Sequence, residues 1–179
     1  MITQETLNDY FGNTWKPAAE DWECSGLALL DVIPMDTNIL DVGCGYNVFK
    51  NYFVNLTGID PANDNADEKV TIEEYQTNQK FDVALALGSI NFGSKDRITK
   101  QTEKLISLLK DESQIFWRCN PGFYDHDDGS EKCKVLEFYP WTFEEMEEFA
   151  KSFGYTIVKM KMEKHKKHNR KRLYSHWKK

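Results

Sequence analysis

The chain has 179 residues, a formal net charge of −6, 40% hydrophobic and 13% aromatic residues. That composition supports a buried core without staples and excludes a disordered tail or a disulfide-dense scaffold. No apolar run reaches the roughly 18–20 residues of a membrane helix, "MITQETLNDYF" does not read as a signal peptide, and Cys24, Cys44, Cys119 and Cys133 form no CxxC pair, so reduced thiols, a cytoplasmic setting and no membrane partner are expected.

Two helices are expected first. Leu7, Tyr10 and Phe11 share one face of a segment that Gly12 ends. A longer helix opens near Pro17, sets Trp22, Leu29, Leu30 and Ile33 on one side, and stops at Pro34. From residue 38 the rhythm turns to strand and loop: "NILDV", "NLTGID" at 55–60, a weaker "KVTI" at 69–72, "FDVALALGSI" at 81–90 and "QIFWRC" at 114–119. Continuous apolar runs such as Val83–Leu87 suit strands covered on both faces, hence a mostly parallel sheet. Between the last two strands, Ile98, Thr102, Leu105 and Leu109 form a helical stripe behind Ser94, a candidate N-cap.

The segment 139–155 carries the fullest helix signals. Thr142 and Glu145 have capping-box spacing, Trp141 and Met146 fit a hydrophobic staple, Met146, Phe149, Ala150 and Phe153 make a buried face, and Gly154 closes the end. "YTIVKMKM" and "KRLYSHW" then alternate as two strands joined by the polar "EKHKKHN". The expected architecture is a single domain over 1–179: N-terminal helices (1–37), a core (38–160) and a basic hairpin end (161–179). Charge divides along that line. Residues 159–179 hold ten Lys/Arg against one acid, Glu163, a net +9 that leaves −15 to the remainder. Two readings of the basic end stand, a solvated hairpin and a surface for nucleic acid or another acidic partner.

The stretch "ILDVGCGYN" (39–47) carries the chemistry. A buried strand runs into Gly43 and Gly45, which permit dihedrals and a backbone approach that a Cβ forbids, at the carboxyl end of a parallel strand where such sheets bind ligands. A dinucleotide fingerprint, GxGxxG, is excluded because its third position falls on Val48. Asp41, two residues before the first glycine, is out of place beside a diphosphate and suits a cationic ligand.

These residues resemble the first signature of class I S-adenosylmethionine-dependent methyltransferases, with Asp41, Gly43 and Gly45 in place and Asn47 where the last glycine usually falls. Asn tolerates positive φ better than most residues. "LTGID" is similar to the second signature, "KFDVALALGSINF" to the fourth-strand signature, and "FYPWTFEEMEEFAKSFGYTIV" to the helix and sixth strand of small members, so the likeness covers roughly 38–160. It implies a Rossmann-like three-layer α/β sandwich, a mostly parallel sheet ending in an antiparallel hairpin, and S-adenosyl-L-methionine as cofactor. It further implies that Asp60 accepts from the ribose hydroxyls and that Asp41 orders the loop and favours the methionine ammonium. Gly43, Cys44 and Gly45 would lend backbone, Leu87 and Gly88 would lie beside the methionine part, and the adenine would lie near Thr71, Ile72 and Glu73. Ser89 is either an assistant there or a turn residue, and Cys44 reads as packing rather than as a nucleophile. The short "PANDNADEK" leaves no room for a normal covering helix, which implies a trimmed member with an open adenine side.

Methyl transfer from a sulfonium needs positioning and, for a protonated acceptor, a base. Two candidates for catalysis are Asn91, in "GSINFG", and His126, in the acidic loop "YDHDDG", which equally reads as solvated; no metal set is identifiable. "NPGF" at 120–123 reads as a turn. The acceptor stays open among small molecule, protein and nucleic acid. A cofactor-binding regulator or sensor without transferase activity is the alternative.

Overall fold

The computed structural model describes residues 2–16, 21–121, 134–166 and 170–179. His126, with the rest of the acidic loop, lies outside them.

A six-stranded sheet organises the chain: β1 (Ile39–Val42), β2 (Leu56–Ile59), β3 (Phe81–Leu87), β4 (Leu109–Cys119), β5 (Thr156–Lys164) and β6 (Lys171–Lys178), in the spatial order β2-β1-β3-β4-β6-β5. Strands β1 to β4 pair in parallel, and β6 runs antiparallel to both β4 and β5. The apolar run of β3 is buried almost throughout, the signature of a strand with cover on both faces.

Alternating side chains feed two cores. Leu40, Ala84, Ile115 and Trp117 pack with Ile98 and Leu105 of helix α2 (Lys95–Ser107) and with Met146, Phe149 and Ala150 of helix α3 (Phe143–Ser152). On the other face Ile39, Val83, Leu85 and Phe116 pack against Leu29 and Phe49. A third cluster seats helix α1 (Gln4–Asn13) through Leu7 and Tyr10 against Phe92 and Leu136. The expected capping box is formed: the Thr142 hydroxyl accepts from Glu145 N–H at 3.1 Å and the Glu145 carboxylate from Thr142 N–H at 3.2 Å. Gly154 closes that end at φ +77°. Ser94 caps α2 by accepting from Arg97 N–H.

Four expectations are corrected. Of the helix expected over 17–33, residues 17–20 lie outside the described residues and the rest holds only a 3₁₀ segment, Gly26–Asp31, with the Cys24 and Ser25 N–H groups donating to Glu163 instead of to a helical ladder. The third strand at 69–72 contracts to a single bridge between Ile59 and Glu68, which leaves the far edge to loops. Gly12 does not end α1, which runs on to Asn13. Leu109 opens β4 rather than closing α2, since Leu108 N–H turns back onto Leu105 as the cap. The expected brevity after the glycine turn is observed as one 3₁₀ turn, Val48–Asn51. Among the described residues no helix is long and apolar enough to cross a membrane.

Candidate active site

The carboxyl ends of β1, β2, β3 and β4 open on one cavity of about 450 Å³, lined among others by Asp41, Gly43, Cys44, Gly45, Asp60, Leu87, Gly88, Ser89, Arg118 and Asn120. That volume is of small-molecule size. Seven of the eight residues expected to bind cofactor therefore meet there. Ile72 does not line the cavity; it packs in the core against the α2 side of the sheet.

The glycine turn is built by backbone constraint. Gly43 and Gly45 sit at φ +67° and +55°, and Asn47 at +54°. A Cβ on Gly43 would overlap the Ser89 side chain, and one on Gly45 would meet the Trp15 ring at 3.0 Å. Gly43 N–H and Cys44 N–H donate to the Ile59 carbonyl at 2.8 and 3.1 Å, and Gly45 N–H donates to Asp60 Oδ2 at 2.9 Å. These three amides are thus spent inside the protein. Any backbone group the turn offers to a ligand is therefore not one of these three N–H groups. Asp60 Oδ1 accepts from Ala62 N–H at 2.8 Å, so the carboxylate is aimed by two backbone bonds and keeps lone pairs for hydroxyls.

Asp41 and Asp60 are 4% and 7% exposed. Burial, then the neighbouring Asp60, pushes the Asp41 carboxyl up to about 7, with Arg118 opposing. A cation placed beside it would restore the ionised form. Burial and then the Asp41 and Asp60 charges push the Cys44 thiol well above its usual range, so it stays protonated at neutral pH.

Three residues that line this cavity have a buried polar atom without a hydrogen-bond partner: Ser89 at Oγ, Arg118 at Nε and Asn120 at Nδ2. Asn91 does not line the cavity. It is fully buried, donates to Asn120 Oδ1 at 3.3 Å and accepts from Asn120 N–H at 3.2 Å. Its place is behind Asn120, which sequence reasoning passed over as a turn residue and which presents an amide to the cavity.

The basic end also departs from expectation. Because β6 runs antiparallel, its first residues reach the same edge as the carboxyl ends of the parallel strands, and Arg170, Arg172 and His165 line the cavity. Arg172 and His165 are buried, where an exposed face was expected; Lys159, Lys164, Lys171 and Lys178 remain outside. The only signal in the sequence was Glu163, a lone acid among cations. It is buried and accepts from Cys24 N–H, from Ser25 N–H at 3.0 Å and from Ser25 Oγ at 2.5 Å.

No protein-family model and no curated protein matches the sequence. Solved structures do. The Burkholderia thailandensis 1,6-didemethyltoxoflavin-N1-methyltransferase with bound 1,6-didemethyltoxoflavin and S-adenosylhomocysteine matches over 85% of this chain and 75% of its own, at TM-score 0.68 and 17% identity. The magnesium protoporphyrin IX methyltransferase of Synechocystis PCC 6803 with bound S-adenosylmethionine matches over 98% and 96%, at TM-score 0.66 and 12% identity. N-methyltransferase NodS from Bradyrhizobium japonicum WM9, in complex with S-adenosylhomocysteine, matches over 79% and 77%, at TM-score 0.59 and 12% identity. With its strand order, its antiparallel final strand and its glycine turn, the chain has the class I methyltransferase fold.

Proposed function

We propose that the protein is an S-adenosylmethionine-dependent methyltransferase. The observation that carries this reading is the joining of Asp41, Gly43, Gly45 and Asp60 in one cavity, with both carboxylates buried and the glycine turn held at positive φ. Fold neighbours that bind S-adenosylmethionine or S-adenosylhomocysteine support it.

The residues fit the cofactor by chemistry. Asp60 would take the ribose hydroxyls, Asp41 the charge of the ammonium end, and the Leu87–Gly88 end of β3 the methionine part. When bound, S-adenosylmethionine supplies an electrophilic methyl group on a sulfonium. The chain's own part is binding and orientation, which accounts for most of the rate in a displacement with a good leaving group. Ser89 and Asn120 present polar atoms for the accepting group, and Asn91 fixes Asn120.

Calorimetric titration is the test. S-adenosylhomocysteine should bind in the micromolar range and NAD far more weakly, and radiolabelled methyl should move from S-adenosylmethionine to a small-molecule pool. Binding of NAD in preference would refute the assignment. Binding without transfer to any pool would instead favour a cofactor sensor.

A further inference from the structure

The cavity has a second pole that the cofactor reading does not use. Arg118 is 9% exposed and reaches in from the end of β4. Its two terminal nitrogens donate to Ser25 Oγ at 3.2 Å and to the Leu87 carbonyl at 3.0 Å, while its buried Nε has no partner. Burial pushes this guanidinium down to about 10, against the pull of Glu163 and Asp41, so it stays charged at neutral pH. Arg172 and Arg170 face the same space from the start of β6.

Trp22 ties the pole together. Its ring lies 4.8 Å from the Arg118 guanidinium carbon and 5.2 Å from that of Arg172, and the His165 ring stands edge-on to it at 4.9 Å. The Glu163–Ser25–Arg118 chain of hydrogen bonds holds the 22–25 segment and the guanidinium in place. Three arginines share this wall of the cavity, with the buried Glu163 as the counter-charge of Arg118. The cavity also has an aromatic wall, with Phe11 in edge contact with Trp15 and with Phe92, and Trp15 against Gly45.

We propose that the methyl acceptor is a small aromatic acid, with its anionic group held by Arg118, Arg170 and Arg172 and its ring against the aromatic wall. Arginine forks suit a carboxylate or phosphate, and the apolar wall suits a ring. The inward position of Arg118 and Arg172 selects a group inserted into the cavity over a polymer tracked along the surface. The proposal rests on the methyltransferase reading.

The test uses the full-length protein saturated with S-adenosylhomocysteine, titrated calorimetrically with benzoate, phenyl phosphate and neutral benzamide. Saturable binding of at least one of the two anions, and at least tenfold weaker binding of benzamide, is expected. The Arg170→Gln/Arg172→Gln variant should weaken the anion at least tenfold and leave S-adenosylhomocysteine affinity within about twofold. Because Arg172 is buried, Arg170→Gln alone is measured alongside, with a severalfold loss expected in a protein that melts like the parent. Binding of neither anion, or equal binding of benzamide, overturns the proposal. So does an equal loss of S-adenosylhomocysteine affinity in the variants, which would make the arginines the seat of the cofactor's own carboxylate. Failure of S-adenosylhomocysteine to bind the unaltered protein would overturn the methyltransferase reading itself, and this proposal with it.

Discussion

The two poles of the cavity are made in opposite ways. At the acidic pole, Asp41, Gly43, Cys44 and Gly45 are neighbours in the chain, and Asp60 follows the adjacent strand; strand pairing places Asp41, and bonds of backbone N–H groups at 2.8–3.1 Å set the other four. At the basic pole, Trp22, Arg118, His165 and Arg172 come from three distant parts of the chain, and side chains hold them. The first is a property of one loop and its strand. The second exists only when the N-terminal segment, β4 and the β5–β6 hairpin have docked. The acidic pole should therefore respond to mutation as a binding site, and the basic pole as a piece of tertiary structure as well.

The largest effect is expected at Glu163. Glu163→Ala leaves three donors of Cys24 and Ser25 unmatched and removes the counter-charge of a buried arginine, a loss of about 3–5 kcal/mol on urea unfolding. A loss below about 1 kcal/mol would show that the basic pole is not tertiary cement. Asp60→Ala comes next. It should weaken S-adenosylhomocysteine roughly tenfold to a hundredfold, about 1.5–3 kcal/mol, in a folded protein, since the carboxylate also aims the turn through Gly45 and Ala62. Unchanged affinity by calorimetry would remove the acidic pole from the cofactor site.

The pH dependence separates the poles further. Asp41 is raised from its ordinary 3.8 to about 7 in the ligand-free fold. A carboxyl raised on folding contributes stability that is fully present below its unfolded value and lost as pH rises through the folded one. The ligand-free protein should thus lose stability between about pH 4 and 7 from this group, and Asp41→Asn should remove that slope in thermal melts. Cofactor affinity should rise severalfold from pH 6 to 8 as the carboxylate ionises, and Asp41→Asn should flatten the rise. A flat profile in the unaltered protein would place the ammonium elsewhere. The smallest effect is expected remote from both poles. Thr142→Ala removes the cap of α3 at a cost of about 1 kcal/mol and should leave binding of both cofactor and anion unchanged. A shift in either affinity would couple the helix layer to the cavity.

The sequence by itself determined what depends on neighbours along the chain. The glycine turn, the Asn47 stand-in at positive φ, the capping box at Thr142 and the buried run of β3 are local choices of dihedral, cap and periodicity, and each is found where its residues announce it. Local reading failed where a distant partner outbid propensity. Trp22, Leu29, Leu30 and Ile33 carry helical spacing, yet Glu163 takes the donors of Cys24 and Ser25 between them. The weak strand at 69–72 has no covering helix to pay its ordering entropy and shrinks to one bridge. Ile72 looked like a pocket residue and packs in the core, and Asn91 looked like a reacting amide and braces Asn120. Only the tertiary structure decided the fate of the basic end. Charge counting sees a +9 segment but not its direction; the reversed course of β6 between β4 and β5 turns Arg170 and Arg172 inward to the ligand edge.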